Sequence, residues 1–151
     1  MSDAYRVELR TVDGGPTAVA SSGSFSAIVD RPISGGGRGL GFNGGQLLYA
    51  AIAACLSNDL YREASAMGIQ LSRVALTIDG DFPARGAPST PISVDVEIAG
   101  DAPEANIAEL LALVDRIAEI PNSMRTTTPV EIRSRRLLGT DRTGTDGGGA
   151  T

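Results

Sequence analysis

Gly41-Phe42-Asn43-Gly44-Gly45-Gln46-Leu47-Leu48-Tyr49-Ala50-Ala51-Ile52-Ala53-Ala54-Cys55-Leu56 passes abruptly from glycine and polar residues to an apolar run. Asn43 and Gln46 stand three positions apart, the spacing of a capping box, in which each side chain satisfies the other residue's backbone N–H. Beyond Leu56 the chain turns amphipathic, with Asp59, Arg62 and Glu63. These signals predict one long helix from Gly44 to Met67, about 36 Å at 1.5 Å per residue. Gly68 supplies its stop. The first half, Leu47 to Leu56, is apolar all round and is expected to be buried on every side. It is half the roughly 20 residues that a membrane helix needs, so no membrane span is expected.

Working outward, Tyr5 to Val12 alternates Tyr5, Val7 and Leu9 with Arg6, Glu8 and Arg10, the pattern of a half-buried strand. Turns at Asp13-Gly14-Gly15-Pro16 and Ser21-Ser22-Gly23 separate it from strands at Thr17 to Ala20 and Ser24 to Val29. Arg31 to Asn43 is glycine-rich and reads as a loop. After the helix, Ser72 to Phe82 and Ile92 to Ile98 alternate as a hairpin pair. Asp101-Ala102-Pro103-Glu104 reads as a helix start, with a cap, an early proline and an acid. That helix is expected to run to Ile120 and stop at Pro121. Val130 to Leu137 reads as a last strand. The order is β-β-β-α-β-β-α-β, an α+β class rather than a doubly wound sheet. Residues 1–138 form one domain, and 139–151 are a Gly/Thr-rich tail. A few short strands cannot cover so apolar a helix, so a partner subunit is expected to do it.

Composition excludes several chemistries. The 151 residues hold no His, which removes imidazole bases, His-based triads and His metal sites. One Cys allows neither an internal disulfide nor a Cys-rich metal site. No cofactor and no metal are expected, and the lone thiol suits a reducing, cytoplasmic compartment. A net charge of -5 disfavours nucleic-acid binding. The N-terminus has no signal-peptide pattern.

Three features compete for chemistry. Gly39-Leu40-Gly41-Phe42-Asn43-Gly44 fits G-x-G-x-x-G. It does not follow a strand directly, and the acids at the end of the next strand, Asp79 and Asp81, stand about 35 residues beyond Gly44 rather than about 20, so it reads as a loop and helix start rather than a nucleotide site. Arg133, Arg135 and Arg136 read as a solvated strand edge. Cys55 sits in an apolar helical run, where a lone Cys is usually a small core residue. Asp59 lies one helical turn beyond it, and its charge opposes a thiolate.

The stretch from Gly41 to Leu56, together with the hairpin, second helix and last strand, resembles the central signature of the OsmC/Ohr family, the osmotically induced proteins and organic hydroperoxide reductases. The resemblance covers about residues 5 to 137. It implies an intertwined two-fold homodimer, with sheets wrapping two long central helices and two sites at the interface. It also implies a peroxidatic Cys, here Cys55, oxidised by an organic hydroperoxide to a sulfenic acid. In the family a Glu and an Arg poise that thiolate and a second Cys resolves it. The Glu position falls at Gly45 and the Arg position at Pro16. The resolving Cys-Pro-x-Ser motif reads Ile120-Pro121-Asn122-Ser123. Arg38 and Arg125 are the candidate replacement charges. Two functions follow as expectations. One is a one-Cys thiol-dependent peroxidase acting in oxidative stress defence, with an external thiol as reductant. The other is a non-catalytic dimer that binds an apolar ligand or partner in its interface pocket.

Overall fold

The computed structural model describes residues 5–126. The expected strand Val130 to Leu137, the arginine cluster and the tail 139–151 lie outside the described residues. Two antiparallel sheets and three helices are present. Strands β1 (Glu8–Thr11), β2 (Ala18–Ser22) and β3 (Phe25–Val29) form a meander in the order β1-β2-β3. Helix α1 (Gly44–Ala66) follows, then the hairpin β4 (Leu71–Asp79) and β5 (Ser93–Gly100). Helices α2 (Glu104–Ile117) and α3 (Glu119–Arg125) close the described chain. The mixed α+β class and the element order up to α2 follow the sequence reading.

The start and stop of α1 are those expected. Asn43 Oδ1 accepts from the Gln46 N–H at 3.0 Å, and Gln46 Oε1 accepts from the Asn43 N–H at 3.0 Å. At the far end Gly68 takes φ +71°, a conformation open to glycine at little cost. Its N–H reaches Ser65 O, and the Ile69 N–H reaches Ala64 O at 2.8 Å. This is a Schellman stop, completed by packing of Ile69 with Ala64.

The core lies where the C-terminal half of α1 meets α2 and the hairpin. Leu60, Ala64, Ile69, Leu110 and Val114 are its buried centre. Leu56, Leu71, Val74, Val96 and Ile98 pack around them. Hairpin register keeps this face uniform, with Val74 opposite Ile98 and Leu76 opposite Val96.

Within one chain the first half of α1 is only partly covered, with Ile52 alone buried there, as expected of strands too short to cover it. Three expectations need correction. Within the chain strand β1 is exposed along its whole length rather than half-buried, with Leu9 54% exposed and Val7, just before it, 69%, because the meander packs mainly on itself. Asp101 does not cap α2. Its carboxylate instead accepts from the Gln70 N–H at 2.7 Å, tying the start of β4 to the end of β5, and Pro103 takes the N-cap position. Pro121 does not end a helix either. The helix breaks at the fully buried Ala118, and Pro121 falls in the first turn of α3. A continuous helix would drive the proline ring into the carbonyl four residues earlier, whereas a first-turn proline lacks only an N–H that has no helical partner anyway.

Truncating Leu110, which has no exposed surface, should leave a cavity at the centre of this core. Leu110→Ala is expected to cost about 2–5 kcal/mol of stability, read from urea unfolding at fixed protein concentration.

Candidate functional site

Cys55 lies midway along α1 and is partly buried. Its Sγ is 4.0 Å from Asp59 Oδ2 and 3.8 Å from Glu119 Oε2. Both are contact lengths that a thiol makes to an oxygen acceptor. Asp59 is one turn along the same face, as its spacing requires. Glu119 is the first residue of α3, 64 positions away in sequence, and arrives only because the chain breaks at Ala118. The sequence reading missed Glu119. The one available signal was its place immediately before the Ile120-Pro121-Asn122-Ser123 motif.

The charges around the sulfur form a short chain. Asp59 is only 3% exposed, and its other oxygen takes a 2.6 Å ion pair from Arg62 Nη1. Arg62 also holds Glu63 at 2.8 Å. The Glu63 hydrogen bond and the Asp59 charge, set against some desolvation, raise Arg62 above its ordinary range and keep it cationic. The positive charge is thus spent on Asp59 and Glu63. Donor atoms of Cys55, Asp59 and Glu119 lie within 4.8 Å of one another. A cation bound among them would have to compete with Arg62 for Asp59.

The other expected site positions are not gathered at Cys55 within one chain. Gly45 is ten residues away, about 15 Å along the helix. A Cβ there would stand 3.0 Å from Phe82 Cε2, and Phe82 stacks on Tyr49 at a centroid distance of 6.0 Å. Pro16 is exposed in the turn before β2. Ile120 is 37% exposed at the start of α3. Arg38 pairs with Asp13 at 3.3 Å, and Arg125 pairs with Asp115 while also donating to Asn122.

The glycine-rich loop is pinned by a buried acid. Asp30 accepts from the backbone N–H groups of Arg31, Arg38 and Leu40 and from the Thr17 hydroxyl. Gly41 in the G-x-G-x-x-G stretch has a purely steric role. A Cβ there would lie 2.2 Å from Ile28 O, and its absence lets Phe42 bridge to Val29 beside β3.

A separate cavity of about 800 Å³ opens between α1, the hairpin and the two C-terminal helices. Ile52, Leu56, Leu76, Val94 and Leu111 line it, with Arg125 and Asp115 among its charged lining. Cys55 is not part of its wall.

Residues 35–133 match the family model described as OsmC-like protein. None of the curated proteins matches the chain. Among solved structures, the chain is similar to an OsmC-like protein of Mycoplasma pneumoniae, with 21% identity, TM-score 0.72, and 84% of this chain and 91% of that one covered. It is also similar to the organic hydroperoxide resistance protein OsmC of Legionella pneumophila, at 20% identity and TM-score 0.56, covering 82% of this chain and 90% of that one. The organic hydroperoxide resistance protein OhrB of Bacillus subtilis aligns at 19% identity and TM-score 0.56, over 83% and 93% of the two chains. Among the described residues no helix is long and apolar enough to cross a membrane.

The Asp30 clamp yields a pH test. Burial alone would raise its carboxyl. The N–H groups of Leu40, Arg31 and Arg38 and the Thr17 hydroxyl outweigh that and hold it below the ordinary value of 3.8. A depressed folded-state value means the stabilisation is full above the ordinary value and fades as pH falls through the depressed one. Protection of the Arg38 and Leu40 amides, corrected for intrinsic exchange, should therefore drop as the solution is acidified below about pH 4. In Asp30→Asn it should already be low at pH 7. Unchanged protection in acid would contradict the clamp.

Proposed function

The chain belongs to the OsmC-like family, and from that premise we propose that it works as a two-fold homodimer in which Cys55 reduces organic hydroperoxides as a one-Cys thiol peroxidase. The observation that carries this reading is Cys55 itself. It stands partly buried on the central helix, where the family resemblance puts the peroxidatic Cys, in a chain with no second thiol. The sulfur attacks the outer peroxide oxygen, giving a sulfenic acid and an alcohol. Two molecules of an external thiol then return the sulfenic acid to the thiol, releasing a disulfide and water. A cytoplasmic location would supply such thiols.

The rate should be low. Arg62, one turn beyond Asp59's contact with the sulfur, is committed to Asp59 and Glu63. A thiol is activated by a cation free to sit beside it, and this one is already paired.

The dimer is supported by unburied apolar surface. The meander presents Tyr5, Val7, Leu9 and Phe25, and the loop before α1 presents Ile33, Leu40 and Phe42. The half-covered stretch Leu47 to Leu56 adjoins that loop. A second copy laid across these surfaces would bury them.

One observation favours a second reading, a binding protein for an apolar small molecule. The 800 Å³ cavity has mainly aliphatic walls and holds no thiol. A protein of that kind would take up the ligand but would not turn over peroxide.

Sedimentation should find a stable dimer at micromolar concentration, and a folded monomer there would defeat the assembly. After treatment with cumene hydroperoxide, a dimedone-type probe should label wild type on Cys55. Cys55→Ser should lose both labelling and thiol-driven turnover. Turnover surviving in Cys55→Ser would exclude Cys55 as the nucleophile. Apolar ligand uptake with no labelling of wild type would favour the second reading.

A further inference from the structure

We propose that Glu119 is the proton relay of the Cys55 reaction, an inference that rests on the peroxidase reading. The reaction needs one. When Cys55 Sγ forms its bond to the outer oxygen of a hydroperoxide, the O–O bond breaks and the inner oxygen departs with the bonding pair. Sulfur loses two electrons and the peroxide gains them. The proton on sulfur has to leave, and the departing oxygen has to gain a proton, because an alkoxide is a poor leaving group. A carboxylate touching the sulfur can do both, accepting the thiol proton and returning it to the alkoxide, which is far the stronger base.

Two carboxylates touch the sulfur, and only one suits the task. Asp59 is almost completely buried, with one oxygen fixed by Arg62 at 2.6 Å. A buried carboxylate pinned in this way has no freedom to swing toward the departing oxygen. Glu119 has the shorter contact, 3.8 Å against 4.0 Å, and its side chain is exposed. No ion pair engages it among the described residues. It is therefore open to solvent, and its side chain can swing between the sulfur and a group bound beside it. Its backbone is fixed where it is needed. Ala118, buried and extended, sets the start of α3, and the Ser123 hydroxyl donates to the Glu119 carbonyl at 2.7 Å.

The relay differs from simple charge repulsion in a way that can be measured. Alkylation of Cys55 by iodoacetamide expels iodide, which needs no proton. Peroxide attack expels an oxygen that does. In Glu119→Gln the side chain keeps its shape but cannot relay a proton. Dimedone-trapped sulfenic acid formation with cumene hydroperoxide should slow at least about tenfold, the conservative end of general acid–base contributions. Alkylation, which needs the thiol proton removed but no proton on its leaving group, should slow less, so the ratio of the two rates should fall. Glu119→Asp should recover part of the peroxide rate. If Glu119 acts only by its charge, Glu119→Gln will speed both reactions, and the proposal fails. If both rates fall by the same factor, Glu119 does not protonate the departing oxygen, and the proposal fails. An unchanged peroxide rate in a reactive protein overturns the relay but leaves the peroxidase reading intact. A wild-type Cys55 that alkylates yet never forms sulfenic acid overturns both.

Discussion

Leu60 and Ala64 on α1 press against Leu110 and Val114 on α2, over the floor made by β4 and β5. Among the described residues that contact is where α1, α2 and the hairpin exclude water together. The Schellman stop at Gly68 feeds straight into it, because Ile69 packs on Ala64 as soon as the helix ends. The Asp101 clamp on Gln70 then fixes where β4 begins relative to the end of β5. With α2 held on α1 in this way, the break at Ala118 brings the first residue of α3 to the middle of α1. The geometry at Cys55 is thus a consequence of packing one to two turns further along the helix. Among the described residues the N-terminal half of α1 and the meander have no comparable contact.

Local signals in the sequence were decisive wherever the physics is local. Asn43 and Gln46 predicted a reciprocal cap, and both bonds are present. Gly68 predicted a left-handed stop and takes that conformation. Alternation in β4 and β5 predicted a hairpin, and its register keeps the apolar residues opposed. The errors arose where one signal serves two structures. A proline following an apolar helical run marks either the end of that helix or the first turn of the next. Pro121 is the second case, and the buried Ala118 carries the break. An aspartate before a helix either caps it or bonds elsewhere. Asp101 bonds across to Gln70, and Pro103 is left at the cap. Alternation in β1 correctly gave a strand with one apolar face, but periodicity cannot say whether that face is covered by its own chain.

The candidate site was legible only in part for the same reason. Cys55 and Asp59 lie one turn apart, so their proximity could be read directly. Glu119 depends on a tertiary contact across 64 residues, and no spacing rule reaches that far. Arg38 and Arg125 were reasonable as unassigned cations, since sequence does not reveal which acid each one meets. Both meet an acid near their own segment, Asp13 in the first turn and Asp115 on α2.

Helix geometry also separates two capacities that are easily taken for one. Ile52, Leu56 and Leu60 follow one another at intervals of four and share a face, which lines the large cavity. Adjacent residues on a helix are about 100° apart, so Cys55 is turned well away from Leu56. The sulfur therefore faces Asp59 and Glu119 while its neighbour faces aliphatic side chains. A ligand filling the cavity would contact the helix that carries the thiol without contacting the thiol. Binding of an apolar molecule and oxidation of Cys55 are for this reason not alternatives imposed by space. One helix has room for both, because the face that lines the cavity is not the face that carries the thiol.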